Sequence, residues 1–291
     1  MKEKSTFLYS FLMFVMISVM LLGGCSEENK ENEKKVIRIG QAPYDYEMPH
    51  VEILKQIAIE QGYEVKIVKG AVGFMFLSLT QSDVDVWSGV WLPSIHETYH
   101  EKYGNQYELG NAIFENAPLG WVVPEYIDIN SIADLVGNED VVNKKLTGIE
   151  PGSGMMMVSE KIVKGYDLDM ELVAGTMASM MAELDYAVTH QKPIVFLGWR
   201  PLAMMLKYDV KVLEDPKGYW QRDGEYWGIR KGLNEDAPDL YNFCKYHKMS
   251  LDDVETFLYE NQENGKKVED LAREWIENNR SQIASWLEGK A

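Results

Sequence analysis

The chain has 291 residues, 46% of them hydrophobic, and a formal net charge of −17 from 29 Lys and Arg against 46 Asp and Glu. Such acidity argues against a nucleic-acid partner. Cys25 and Cys244 are the sequence's two cysteines, too few for a disulfide framework, so stability must come from a buried core that a chain of this length can supply.

Lys2 and Lys4 precede an apolar segment from Phe7 to Leu22, which closes on Leu22-Gly23-Gly24-Cys25. The segment contains Ser10 and Ser18 and is short of the roughly 20 residues that cross a hydrocarbon core. The small pair before Cys25 favours cleavage, so residues 1–24 read as an export signal. The L-G-G-C ending resembles the lipobox of bacterial lipoproteins. That likeness implies lipidation of Cys25 as the first mature residue and an extracytoplasmic protein anchored to the cell membrane. Residues 25–35, with the run SEENKENEKK, form a charged tether. Loss of residues 1–24 removes Lys2, Glu3 and Lys4, a net +1, so −17 becomes −18.

KKVIRIG (34–40) is a β-rich run, PHVEILKQIAIEQGY (49–63) has apolar residues at helical spacing, and YEVKIVKG (63–70) alternates as a strand. A helix in 73–81, a strand in 84–89 and a short helix after Pro93 continue the β-α-β order. LGWVVPEYI, an apolar strand stopped by Pro124, begins a second unit. Helices at 131–135, 155–166 and 177–190 then alternate with strands at 146–150, 170–175 and 193–199. EYWGIRKG (225–232) reads as a return crossing, followed by four amphipathic stretches that pack on the first unit. The methionines at 155–157, 180–181 and 204–205 read as adaptable core filling. Trp275 and Trp286, 11 residues or three turns apart, read as core on one helical face.

One stretch, VWSGVWLPSIHETYH (86–100), carries two competing chemistries. His96-Glu97-Thr98-Tyr99-His100 fits H-E-x-x-H, which in a zinc peptidase puts two ligands one turn apart with a glutamate base between them. A secreted zinc metallopeptidase is therefore the alternative reading. Against it, the helix is short and no third ligand is evident. His50, His190 and His247 are scattered without ligand-like companions. Solvent-facing helix residues, or a ligand contact by His96, fit the pattern as well.

The other chemistry is aromatic. Trp91-Leu92-Pro93 and Trp199-Arg200-Pro201 are matched W-x-P corners, each after a strand and before a helical stretch, one per unit. Open α/β sheets present ligand-binding residues at such strand ends.

The runs VWLPSIHETYHEKYG, GWVVPEYIDINSIADL, IEPGSGM, GWRPLAMMLKYDVKVLEDP and AREWIENNRSQIASWL, taken in order, resemble the substrate-binding proteins of ABC importers for glycine betaine and related quaternary amines. The resemblance spans nearly all of residues 36–289. It implies an α/β, two-lobed periplasmic-binding-protein type II fold with a ligand cleft between the lobes and two crossing hinge strands. Lobe I is then 36–120 plus 225–291, and lobe II 121–224. It further implies a monomeric receptor without catalysis or cofactor, partnered by a permease and its ATPase.

The resemblance also implies a box of aromatic rings around a quaternary ammonium, a cation that cannot donate hydrogen bonds and is held by ring quadrupoles. Trp91 and Trp199 match box positions, and the N-terminal aromatic position falls among Tyr44 and Tyr46. The E-P-G-S-G loop matches the carboxylate-holding segment, here Ser153 with the amides of Gly154 and Met155 at a helix start. Relatives often carry tryptophan at the position of Ser153, and aromatic or histidine residues where this chain has Leu202 and Ala203. The box is thinner for it. Either Trp87, Tyr44 and Tyr46 compensate, or the solute is not glycine betaine itself. Arg200 is a candidate for an anionic ligand end, and Asp45 and Glu47 for a hydroxyl-bearing cation such as choline.

Overall fold

The computed structural model describes residues 35–290; the segment expected to be an export signal, and Cys25, lie outside them. In chain order the first half runs β1 (Val36–Gln41), α1 (Glu47–Glu60), β2 (Glu64–Lys69), α2 (Val72–Gln81), β3 (Val86–Leu92), α3 (Glu97–Tyr103), β4 (Tyr107–Ala117) and β5 (Leu119–Pro124). Then come β6 (Lys145–Thr147), α4 (Gly154–Tyr166), β7 (Glu171–Val173), α5 (Met177–Thr189), β8 (Val195–Trp199), α6 (Met204–Lys207) and β9 (Val210–Val212). The chain ends with β10 (Asp223–Arg230), α7 (Leu233–Asp236), α8 (Pro238–Tyr246), α9 (Leu251–Gln262), α10 (Val268–Asn278) and α11 (Arg280–Leu287).

The strands form two sheets of the same design. The first has the order β2-β1-β3-β10-β4, the second β7-β6-β8-β5-β9. In each, the first three strands are parallel and the fourth runs antiparallel to both its neighbours. The crossings explain this symmetry. β4, last in the first sheet, leads through Pro118 into β5, fourth in the second; β9, last in the second, leads into β10, fourth in the first. Each lobe therefore borrows the antiparallel strand that the other lobe's edge delivers. Since β5 begins at Leu119 and β10 at Asp223, the crossings lie about two residues before the breaks placed from sequence at 121 and 225.

The central parallel strands β3 and β8 are buried because helices cover both faces. α10 packs on α1 and α11 on α8, so the C-terminal helices return to the first lobe. Trp286 is buried there, and its ring stacks on that of Trp275, centroids 6.4 Å apart. An ion centre ties the first sheet together: Asp85, almost wholly buried, accepts from the Arg38 amide at 2.7 Å and from the guanidinium groups of Arg38 and Arg230. A buried carboxylate is tolerated only when paired in this way.

Candidate ligand-binding site

The chain leaves β1 in a tight loop that is fixed from inside. The Glu47 carboxylate accepts from the Ala42 amide at 2.8 Å and from the Trp87 indole Nε1 at 3.1 Å. Burial, with Glu225 nearby adding to it, pushes the Glu47 carboxyl up to about 8. The loop sets Tyr44 and Tyr46 in parallel, centroids 5.6 Å apart. β3 delivers Trp91 edge-on to Tyr46 at 5.3 Å. From the second sheet, β8 ends on Trp199, edge-on to Tyr44 at 6.0 Å and to Tyr46 at 6.2 Å. Four rings from both lobes thus enclose one space, lined also by Ile95, His96, Ile149, Ser153, Gly154 and Met155. Both W-x-P corners carry a cis bond, at Leu92-Pro93 and Arg200-Pro201.

The corner after Trp91 is held by Asp223 at the start of β10. Its carboxylate accepts from the Ser94 amide at 3.0 Å, the Ser94 hydroxyl at 2.7 Å and the Ile95 amide at 2.8 Å. This positions His96, whose Nδ1 accepts from the Trp91 amide at 3.0 Å. An amide can only donate, so the ring's proton sits on Nε2. Burial pushes the imidazole down to about 3, so it stays neutral near pH 7.

Across the space, Ser153 caps α4, its hydroxyl accepting from the Met156 amide at 3.4 Å. Gly154 and Met155 are the first residues of this 13-residue helix, where amides have no intrahelical acceptor and the helix dipole favours an anion. Gly154 is where the lobes meet: a Cβ added there would lie 1.9 Å from the Ile95 carbonyl oxygen.

Eight of the residues singled out from sequence converge here: Tyr44, Tyr46, Trp91, His96, Ser153, Gly154, Met155 and Trp199. Trp87 and Arg200 do not. Trp87 is fully buried behind the loop, its N–H spent on Glu47 and its ring packed edge-on to Phe76. Arg200 turns to Glu255 and Asp252 of α9. The choline-directed reading of Asp45 and Glu47 also needs correction. Asp45 accepts from Gln262 at 3.0 Å, Glu47 is committed to Ala42 and Trp87, and neither lines the space. Leu202 and Ala203 are buried outside it. Sequence reasoning missed the apolar walls Ile95 and Ile149, the positioning residue Asp223 and the positioning role of Glu47, none of which carries a pattern of its own.

The zinc arrangement is not supported. His96 is neither solvent-facing nor paired with His100; its Nδ1 is committed to Trp91, while His100 Nδ1 meets the Tyr107 hydroxyl at 2.7 Å. Glu97 pairs with Lys161 at 3.1 Å. His50 and His247, scattered in sequence, are neighbours in the first lobe's core, ring centroids 5.5 Å apart, with Glu225 3.2 Å from His50 Nε2. No group of three or more His, Cys, Asp or Glu residues among the described residues is arranged to hold a metal ion.

Comparison with known proteins agrees with this geometry. Residues 35–278 match the family model for the substrate binding domain of ABC-type glycine betaine transport systems. The glycine betaine/carnitine transport binding protein of Listeria monocytogenes is 34% identical over 152 residues, 51% of this chain and 50% of that protein. The chain thus matches about half the length of that relative. Lactococcal OpuAC, in its closed form complexed with glycine betaine, is 33% identical with a TM-score of 0.81, covering 87% of this chain and all of that one. The glycine/betaine/L-proline-binding protein of Borrelia burgdorferi is 27% identical with a TM-score of 0.82, covering 87% of this chain and 96% of that one. These likenesses uphold the two-lobed binding-protein fold and leave the peptidase alternative without support. The chain belongs to the family of substrate-binding domains of ABC-type glycine betaine transport systems.

Proposed function

We propose that this protein is a non-enzymatic receptor that captures a small quaternary ammonium solute bearing a carboxylate, glycine betaine first among them, and delivers it to an ABC permease. The observation that carries the reading is the set of four rings, Tyr44, Tyr46, Trp91 and Trp199, supplied by both lobes around one space. Such faces attract a desolvated cation by about 2 kcal/mol or more each. The Gly154 and Met155 amides and the neutral His96 Nε2–H are donors of the kind a carboxylate needs, and no carboxylate lines the space to favour a hydroxyl-bearing cation instead. Trp87 and Arg200 act on the site from outside it.

In this reading, lobes I and II close as bodies over the solute. The receptor is a monomer outside the cytoplasm, tethered through a lipid on Cys25, and its partners are a permease and its ATPase. Calorimetry against glycine betaine, proline betaine, carnitine, choline and dimethylsulfoniopropionate tests the ligand class. Betaines should bind more tightly than choline. A protein that binds choline alone, or none of the panel, would overturn the proposal.

A further inference from the structure

Trp199 and Arg200 are consecutive residues with opposite destinations. The first lines the aromatic space, and the second reaches out of its own lobe to α9 of the other. We propose that Arg200, with Glu255 and Asp252, is the latch that holds this receptor closed, a positioning residue that seats Trp199 against Tyr44 and Tyr46 and sets how long a solute stays. The inference rests on the reading that a cation is held between the lobes.

Arg200 Nε donates to Glu255 at 2.6 Å, while Nη2 donates to the other Glu255 oxygen and to Asp252 at 3.1 Å. This is the planar two-pronged grip that a guanidinium makes on a carboxylate and a lysine cannot. Glu255 is almost wholly buried, its side chain 4% exposed. The Arg200 amide donates to the Pro118 carbonyl at 2.9 Å, at the crossing between the sheets. One residue therefore joins the second lobe's aromatic face, the crossing and α9.

A second ion pair between the lobes offers a contrast. There Lys161 meets Glu97 at 3.1 Å with both side chains about half exposed, at 49% and 53%. Exposed pairs of this kind contribute little. These two inter-lobe ion pairs are unequal, and the firmer grip is that of Arg200 on Glu255. When the lobes part, Arg200 and Glu255 separate, so the pair favours the closed form alone.

The test is stopped-flow kinetics with glycine betaine, with choline as second probe, on the parent, Arg200→Ala, Glu255→Ala, the double variant, Arg200→Lys and Lys161→Ala. Truncating one partner of a hydrogen-bonded charge pair whose carboxylate is buried acts on dissociation. Arg200→Ala should thus speed solute release about tenfold or more while association stays within about twofold. The double variant should be no worse than the more affected single variant, and Arg200→Lys should fall between parent and Arg200→Ala. Lys161→Ala should release solute within about twofold of the parent. The melting temperature of ligand-free Arg200→Ala should match the parent's, whereas a merely structural pair would lower it.

An unchanged release rate in Arg200→Ala overturns the inference while leaving the ligand reading intact. So do effects that multiply in the double variant. A parent that binds neither probe overturns the ligand reading, and this inference with it.

Discussion

The amide of Trp91 donates to Nδ1 of His96 at 3.0 Å, so a residue of the aromatic cluster fixes the tautomer of its neighbour. The protein backbone thereby makes His96 a permanent donor at Nε2, independent of pH over the range where histidines usually titrate, because burial pushes its imidazole down to about 3.

His96→Ala should weaken glycine betaine binding about tenfold or more, the scale of a lost hydrogen bond to a charged group. Choline, which has no carboxylate, should lose less. Calorimetry of both ligands at pH 5.5 and 7.5 checks this, and His96 should add no pH dependence between those values. A parent whose betaine affinity changes steeply across that window, with the change abolished in the variant, would show that the ring titrates.

Trp91→Ala and Trp199→Ala should each raise the dissociation constant about thirtyfold, the equivalent of about 2 kcal/mol for a lost cation face. Phenylalanine at either position should cost less, since a weaker quadrupole remains. Trp275→Phe and Trp286→Phe should change thermal stability and leave affinity alone, because both rings pack around His247 in the C-terminal part of the first lobe. Titrations and melting curves on the same preparations separate the two effects.

Gly154→Ala should impair binding without destabilising the open protein. The added carbon would stand 1.9 Å from the Ile95 carbonyl oxygen, a contact made only where the lobes meet. Overpacking of this kind costs about 1–3 kcal/mol, roughly 5- to 150-fold in affinity. A variant that binds as tightly as the parent would mean that the lobes do not come this close around the solute.

Glu47 predicts a pH dependence of stability. Its carboxyl stands at about 8 in the folded protein against an ordinary value of 4.5. Between those values the folded protein keeps a proton that the unfolded chain has lost, so stability from this group is full below 4.5 and declines as pH rises towards 8. Glu47→Gln does not titrate. Its unfolding free energy should fall less steeply than the parent's over that window, with a difference in slope of up to about 1.4 kcal/mol per pH unit. Urea unfolding at a series of pH values measures it, and parallel curves would contradict the assignment.

Much of this architecture is legible in the sequence because its signals are local. The alternation of β1, β2 and β3 with α1 and α2 is written in periodicity, and the W-x-P corners mark both strand ends. Distance along an element is harder to read. Trp87 and Trp91 share one face of β3, yet four residues separate them by about 13 Å, enough to put one in the core and the other at the site. β4 carries no clean alternation, and its pairing with β10 is broken by register shifts. Arg200 was misassigned because its partner lies 55 residues onward on a helix of the other lobe, a relationship no local pattern records. Glu47, a candidate cation contact by sequence, is instead held by Ala42 and Trp87, which only the fold brings to it.

The central claim is that the four rings recognise positive charge, not merely an apolar shape. Calorimetric titration of glycine betaine beside 3,3-dimethylbutyrate, which keeps its shape and carboxylate but replaces the ammonium nitrogen by carbon, tests this most directly. With faces worth about 2 kcal/mol each, the isostere that lacks the cation should bind at least about a hundredfold more weakly. Equal affinities would show that Tyr44, Tyr46, Trp91 and Trp199 enclose a hydrophobic group and would contradict the account.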